Sequence, residues 1–314
     1  MNQQPEFVQE NVRLAPLTTY QIGGPAQFLA KVNSLEELTR SIDWAVAANL
    51  PINFLGGGSN LLISDQGVAG LVITLAAPEP IFIDKTVEVG AGYSLSKLVI
   101  AVIEQGLSGL EWAAGIPGQV GGAVRGNAGA FGGWLADSIV EVTVYNTKTK
   151  RTEIIAVEDC HYDYRHSIFK DRPELLIWSV KLALKSGSKA ELQKIAEEHR
   201  DYRRQRHPLL PSAGCIFKNP SVDEVTKNAP DLYQAAQTAG AIGRGEVPAG
   251  FIIAQAGLAG YSIGPAQVSL QHSNFLVNNG GATAEQMRQL INYIQTEIKR
   301  RYNLELIPEV ALWP

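Results

Sequence analysis

Apolar residues recur at helical spacing in only a few places along this chain, and short β-like runs fill the intervals. Leu35, Leu38, Ile42, Ala45 and Val46 form one stripe, with the i, i+3, i+4 recurrence of a single helical face. Ser34-Leu35-Glu36-Glu37 precedes it with the spacing of a capping box, so a helix is predicted from there to about Ala48. Ile52-Asn53-Phe54-Leu55 predicts a strand, and Leu61–Ile63, Leu71–Leu75, Ile81–Ile83 and Val87–Val89 read likewise. Ser94 to Gln105 reads as a second helix, with Gly106 placed to close it in the left-handed conformation. Residues 139–145, 151–157 and 175–184 resemble strands. The charged stretch Lys189–Arg206 reads as a helix that ends before Pro208, because proline disfavours helical backbone in the residue ahead of it. Gly250–Gly257 and Ser273–Asn278 flank loops rich in glycine, and Glu285–Tyr302 is a long amphipathic helix. Residues 221–248 fit no periodic template and read as an insertion or irregular segment. No internal repeat is visible. The first 185 residues therefore mix α and β, with many short strands and few long helices.

Composition narrows the class. At 314 residues the chain exceeds an average domain, so two or more are expected. A hydrophobic content of 45% with 18% charged residues supports a sizeable core. A net charge of −4 argues against broad nucleic-acid binding. The N-terminal stretch is polar, so no secretory signal is expected. No apolar run reaches the roughly 20 residues that span a bilayer. The two cysteines, Cys160 and Cys215, are too few for a disulfide framework or a tetrahedral metal site. No metal is expected, and a cytoplasmic location is the default.

Two glycine clusters carry the first hint of chemistry. Gly56-Gly57-Gly58-Ser59-Asn60 directly follows the predicted strand at 52–55. Glycines there let backbone N–H groups approach a ligand, and Ser59 and Asn60 add side-chain hydrogen-bonding groups. Gly115-Ile116-Pro117-Gly118-Gln119-Val120-Gly121-Gly122-Ala123 and Gly126-Asn127-Ala128-Gly129-Ala130 form the second. Either cluster alone is explained by a tight loop. Two in one α/β region favour a cofactor with a diphosphate and a flat ring. The spacing G-x-G-x-x-G of a Rossmann site is not met at residues 56–61.

The runs Thr18-Thr19-Tyr20-Gln21-Ile22-Gly23-Gly24-Pro25-Ala26, Leu55-Gly56-Gly57-Gly58-Ser59-Asn60-Leu61-Leu62, Ala114-Gly115-Ile116-Pro117-Gly118 and Asn127-Ala128-Gly129-Ala130 resemble those of the UDP-N-acetylenolpyruvoylglucosamine reductase (MurB) family. So do Tyr164-Arg165-His166-Ser167-Ile168-Phe169, Ala213-Gly214-Cys215-Ile216-Phe217-Lys218-Asn219-Pro220 and Ile307-Pro308-Glu309-Val310. The resemblance spans nearly the whole chain in the family's order. It implies an α+β architecture: a two-part FAD-binding domain of the vanillyl-alcohol-oxidase type over residues 1–187 (subdomains about 1–76 and 77–187), a linking helix at 188–206, and an α+β substrate-binding domain at 207–314. The C-terminal tail would return to the active site. The implied cofactor is FAD, with NADPH as electron donor. The implied partner is a small-molecule UDP-sugar, with no nucleic acid, no membrane and a monomeric chain. The product would serve peptidoglycan synthesis, and through it cell shape and division.

Site residues follow by resemblance, position by position. Gly56, Gly57, Gly58, Ser59, Asn60, Leu61, Gly115, Ile116, Pro117, Gly118, Gly121, Gly122, Asn127, Ala128 and Gly129 would bind the cofactor. Arg165 matches the family's catalytic arginine, and a guanidinium can grip a carboxylate with two parallel bonds. Glu309 matches the catalytic glutamate and would face the charge that develops beside the substrate carboxylate. Cys215 stands where many members carry the proton-donating serine, and a thiol is the stronger acid. Taken alone, Arg165 reads as an ordinary salt bridge, Glu309 as a solvated strand edge and Cys215 as a small buried hydrophobe. Tyr164, Lys218 and Asn219 are expected to contact substrate. Arg204 or Arg206 would meet diphosphate charge or lie on a solvated helix face. His166, His272 and Asn274 fall in matching segments without an assigned role. The chain departs from the pattern at Arg125-Gly126, where many members have Met before the Asn-Ala-Gly run, and at Ala311-Leu312, where a basic residue is common. Two other readings stay open: a flavoprotein oxidase that dispenses with Cys215 and Glu309, and a non-catalytic flavin or UDP-sugar binder.

Overall fold

The computed structural model describes residues 3–243 and 245–314. By contact the chain forms two compact units that are not contiguous in sequence. The first comprises residues up to Val12, Ala26–Gly57 and Ala69–Gln205; the second comprises Arg13–Pro25, Gly58–Val68 and Arg206–Pro314. Both mix helices with sheets, so the architecture is α+β.

In the first unit, helix α1 (Leu35–Ala47) begins where the capping box predicts. Ser34 Oγ accepts the Glu37 N–H, whereas the Glu37 carboxylate reaches back one residue further than the motif prescribes, to the Asn33 N–H at 2.7 Å. Leu38, Ile42 and Ala45 of its stripe are buried against a four-stranded sheet. That sheet runs in the order Val8–Arg13, Pro25–Val32, Val68–Leu75, Ile52–Phe54, and its last two strands pair in parallel. A second sheet, antiparallel throughout, has the order Arg151–Ala156, Ile139–Asn146, Leu175–Ala183, Thr86–Gly90, Ile81–Ile83. Helix α2 (Leu95–Glu104) packs on it, and Gly106 has the expected positive φ of 67°. Helices α3 (Val120–Arg125), α4 (Ile168–Asp171) and α5 (Lys189–Arg206) complete the unit, with Arg206, the last residue of α5, already in the second. Leu192 and Ala196 of α5 enter the same core as α2.

The second unit contradicts the irregular reading of 221–248. Helices α6 (Val222–Asn228) and α7 (Pro230–Thr238) lie there; Arg244 falls outside the described residues. Both helices are too short to show a repeating stripe, and Pro230 marks a helix start, where its missing N–H costs nothing. Helix α8 (Ala249–Gln255) occupies a stretch read from sequence only for its glycines. Helix α9 (Ala284–Tyr302) is the expected amphipathic helix, with a capping box between Thr283 and Gln286. It packs with a sheet in the order Ser212–Cys215, Phe275–Asn278, Ala266–Val268, Ser262–Ile263. The C-terminal strand Ala311–Trp313 pairs in parallel with Leu61–Ile63.

Candidate active site

The triple-glycine loop spans the point where the chain passes from one unit to the other, since Gly57 belongs to the first and Gly58 to the second. In the first unit the two glycine clusters touch. A Cβ built on Gly57 would lie 2.6 Å from Gly118 Cα and 3.0 Å from Gln119 N. Any side chain at 57 would force two backbones apart. Gly118 in turn opens α2, its carbonyl accepting the Leu95 N–H. Gly121 packs on Ala91, where an added Cβ would come within 2.8 Å of the alanine methyl. Gly122 differs: it is exposed, and a Cβ there meets nothing within 4 Å. The two clusters thus bring backbone against backbone with no side chain between Gly57 and Gly118, an arrangement that fits a cofactor with a diphosphate that must be approached by N–H groups.

Gly115 lies under α5, with Arg203 Cδ 3.1 Å from its Cβ position, and Arg203 Nε donates to the Ala114 carbonyl. Ile116 is half-buried against the core, and its carbonyl accepts the Ser96 hydroxyl. Asn127 has a left-handed backbone (φ 42°) and a buried side chain that ties two loops together. Its Nδ2 donates to the Asp163 carbonyl at 3.1 Å, and its Oδ1 accepts the Ala136 N–H at 3.2 Å. Ala128 donates to the Ala123 carbonyl and accepts from Leu135. Arg125 is exposed, and its carbonyl accepts the Ser167 hydroxyl at 2.7 Å.

Arg165 sits at the tip of a tight turn. Asp163 and His166 exchange both backbone hydrogen bonds, and Arg165 takes φ 55°, a left-handed conformation unusual for a non-glycine residue. The Asp163 carboxylate accepts the Tyr164 N–H, and Lys170 Nζ donates to the Arg165 carbonyl. The guanidinium lies within cation–π reach of two rings, Trp134 and Tyr164, each 5.9 Å from Cζ. His166 pairs with Asp171 at 3.0 Å. Trp134 was not singled out in the sequence; the aromatic residue closing the Phe131-Gly132-Gly133-Trp134 turn was the available signal.

In the second unit, Cys215 ends a strand just after Gly214, whose φ of 77° suits glycine, and pairs across the ladder with Phe275. The Glu309 N–H donates to the Ile216 carbonyl at 2.7 Å, and the Lys218 N–H donates to the Ile307 carbonyl at 2.9 Å. Glu309, far away in sequence, thus lies on backbone adjoining the segment that carries Cys215 and Lys218. Asn60 joins them: its Nδ2 donates to the Glu309 carbonyl, and its own carbonyl accepts from Ala311. Leu61 pairs with Ala311 in the adjacent parallel ladder. Gly58 is packed closely, its Cβ position 2.2 Å from the Leu17 carbonyl oxygen. The Asn219 amide is engaged at both ends, donating to Glu246 and accepting the Ala249 N–H. His272 is held below the usual imidazole pKa by burial, with Nδ1 beside the Asn274 N–H. The rings of His207 and His272 flank Phe275 at 4.9 and 4.7 Å. Arg204 pairs with Glu197 and Asp201 on the exposed face of α5. No cluster of metal-ligating side chains occurs among the described residues, and none of their helices is long and apolar enough to cross a membrane.

Comparison with known proteins assigns both parts of the chain. The family model for an FAD binding domain matches residues 26–154. That for the C-terminal domain of UDP-N-acetylenolpyruvoylglucosamine reductase matches residues 205–313. A protein named UDP-N-acetylenolpyruvoylglucosamine reductase from Acaryochloris marina (strain MBIC 11017) is 39% identical over 309 residues, covering 97% of this chain and 92% of its own. Another of that name, from Anoxybacillus flavithermus (strain DSM 21510 / WK1), is 38% identical over 308 residues, covering 97% and 94%. The crystal structure of UDP-N-acetylenolpyruvylglucosamine reductase (MurB) from Thermus caldophilus matches with a TM-score of 0.78 at 36% identity, covering 98% of this chain and 100% of that one.

Proposed function

The chain belongs to the UDP-N-acetylenolpyruvoylglucosamine reductase family, and from that premise we propose that it reduces the enolpyruvyl group of UDP-N-acetylenolpyruvoylglucosamine to UDP-N-acetylmuramate. The chemistry FAD supplies when bound is hydride transfer, taken from NADPH and delivered to the enolpyruvyl double bond. The backbone surface of Gly56, Gly57, Gly118, Gly121 and Gly122 would hold the cofactor, since the contact between Gly57 and Gly118 leaves no side chain in the way. Asn127 would act there through the two loops it ties.

The remaining work falls to side chains. As hydride arrives, negative charge develops at the carbon next to the substrate carboxylate. Arg165 would bind that carboxylate with its guanidinium fork. The Glu309 carboxyl would hydrogen-bond the enolate-like charge. The Cys215 thiol would give its proton to the carbanion, completing addition of one hydride and one proton across the double bond. The single observation that supports this assignment is the backbone bond from Glu309 to Ile216, which sets the main chain of residue 309 beside the residue that follows Cys215. Tyr164 and Lys218 would contact the substrate, with Asn219 holding the segment that carries Lys218 to residues 246–249. The protein would work as a cytoplasmic monomer supplying peptidoglycan precursor, and thereby cell shape and division.

Anaerobic mixing separates the steps. NADPH should bleach the flavin, and the enolpyruvyl UDP-sugar should restore its colour. A Cys215→Ala variant should bleach at the wild-type rate and recover about 100-fold or more slowly, the scale of a lost proton donor, with Cys215→Ser recovering part of the rate. Reoxidation by oxygen but not by the UDP-sugar would overturn the proposal in favour of an oxidase. Full reoxidation by Cys215→Ala would remove the thiol from the mechanism.

A further inference from the structure

We propose that Trp134 is a positioning residue for Arg165, holding its guanidinium against an aromatic wall before substrate arrives. The inference rests on the reading of Arg165 as the carboxylate-binding group. The fold commits several separate features to placing this indole. Phe131 and Gly132, with φ of 48° and 94°, form the two-residue turn that folds Gly133–Trp134 back on Gly129–Ala130, pairing Trp134 with Gly129. A Cβ on Gly129 would lie 2.2 Å from indole Cε3 and 2.6 Å from Cδ2. The ring therefore lies directly on the Gly129 backbone, at a distance no other residue allows. The Asp137 carboxylate accepts the Trp134 N–H at 2.9 Å and fixes the backbone. Phe131, at the turn, is itself clasped by α5: it stacks on His199 at 4.1 Å and 8°, and Arg203 lies over it at 5.1 Å.

The indole so placed meets the Tyr164 ring edge to face, 5.9 Å apart at 84°, and both rings lie 5.9 Å from Arg165 Cζ. The backbone of Arg165 is set by its turn. The turn alone does not orient the fork, which several rotatable bonds separate from Cα. Two ring faces remove much of that freedom, and a group already oriented loses less entropy on binding. The bonds that fix Trp134 all run within its own hairpin and to Asp137, so the wall stands whether or not a carboxylate is bound.

The test uses the flavin-loaded enzyme and measures the two half-reactions separately, with R165K, W134L, W134F and the W134L/R165K double variant. W134L is expected to slow reoxidation by the enolpyruvyl UDP-sugar about tenfold, and to leave flavin reduction by NADPH within about twofold. W134F keeps a ring face and should recover most of the loss. In the R165K background W134L should cost under about twofold more, since the two residues act as one unit. Equal losses in both half-reactions, or the same tenfold loss in both backgrounds, would show that the indole only packs the hairpin and would overturn the proposal. Should R165K reoxidise at the wild-type rate, the reading of Arg165 falls and this one with it. A slow R165K beside a wild-type W134L refutes the positioning role alone.

Discussion

A methyl group added at Gly122 separates what the protein requires from what its cofactor requires. Gly122 is the third residue of the six-residue helix α3, and a Cβ there meets no atom within 4 Å. Alanine is therefore sterically free in the protein. Glycine inside a helix costs about 0.5–1 kcal/mol relative to alanine. Flavin-free Gly122→Ala should then melt higher, by about 1–4 °C for a unit of this size. If the open face of α3 is the cradle, the same methyl meets the cofactor. Overpacking of that kind costs about 1–3 kcal/mol, so FAD affinity should fall roughly 5- to 150-fold. Gly57→Ala is the contrasting case. Its Cβ would lie 2.6 Å from Gly118 Cα, backbone that cannot rotate away, so stability and affinity should both fall. Thermal melts of flavin-free protein and FAD titrations followed by flavin fluorescence read the two effects apart. A Gly122→Ala protein that binds FAD like wild type would show that α3 does not face the cofactor. One that melts below wild type would refute the steric argument itself.

Other residues give further tests. Burial holds the His272 imidazole below its usual pKa; below about pH 6.5 the unfolded chain binds more protons than the native one, so stability is full above that pH and falls as pH drops through the folded value. His272→Gln should flatten the melting-temperature profile below about pH 6.5, and an unchanged slope would refute this. The Tyr20 hydroxyl is buried without a hydrogen-bond partner among the described residues, so Tyr20→Phe should be neutral or stabilising by up to about 1 kcal/mol in urea unfolding; a clear loss would reveal a partner. Asn127→Gly should lose about 1–3 kcal/mol with its two side-chain bonds, and Asn127→Ala about 1 kcal/mol more for a left-handed backbone; equal losses would show that φ at 127 is not constrained. The Asp65 carboxylate accepts the Ala284 and Glu285 N–H groups at the start of α9, so Asp65→Ala should cost about 0.5–2 kcal/mol, with no loss refuting a capping role.

What was legible in the sequence follows from the range of the interactions involved. Ser34 and Gly106 mark helix ends because caps are local, and both lie where the structure needs them. The strands Val8–Arg13 and Pro25–Val32 left no signal. In the second, Leu29 and Ala30 are both buried, which breaks the alternation a strand shows when only one face is covered. Helices α6 and α7 fall below the length at which a 3.6-residue period can be seen. The glycine clusters were visible as composition, yet their contact at Gly57 and Gly118 is long-range and belongs to the fold alone. Arg165, Cys215 and Glu309 could be named only through family resemblance. Each is an ordinary residue type whose meaning comes from its surroundings: a left-handed turn for Arg165, a strand end for Cys215, a backbone bond to the residue after that strand for Glu309.

The Arg165 turn is costly, and that cost explains the bonds around it. A non-glycine residue in the left-handed region gives up about 1–2 kcal/mol. Such a conformation persists only when its neighbours over-determine it. Here the Asp163 and His166 backbones bond each other, Tyr164 bonds the Asp163 carboxylate, and Lys170 bonds the Arg165 carbonyl. Two further bonds reach the end of α3 and the glycine-rich segment after it: the Ser167 hydroxyl to the Arg125 carbonyl, and Asn127 Nδ2 to the Asp163 carbonyl. They bracket the turn on both sides. The backbone that would cradle the cofactor is thereby fixed in register with the residue that would grip the substrate carboxylate. Hydride transfer tolerates little error in placement, since a shift of about 1 Å can cost a factor of 100 in rate. A flexible tether at either bracket would relax the turn to a commoner conformation and lose that register. On the proposed roles, the strain at Arg165 would be the consequence of holding two sites to one geometry.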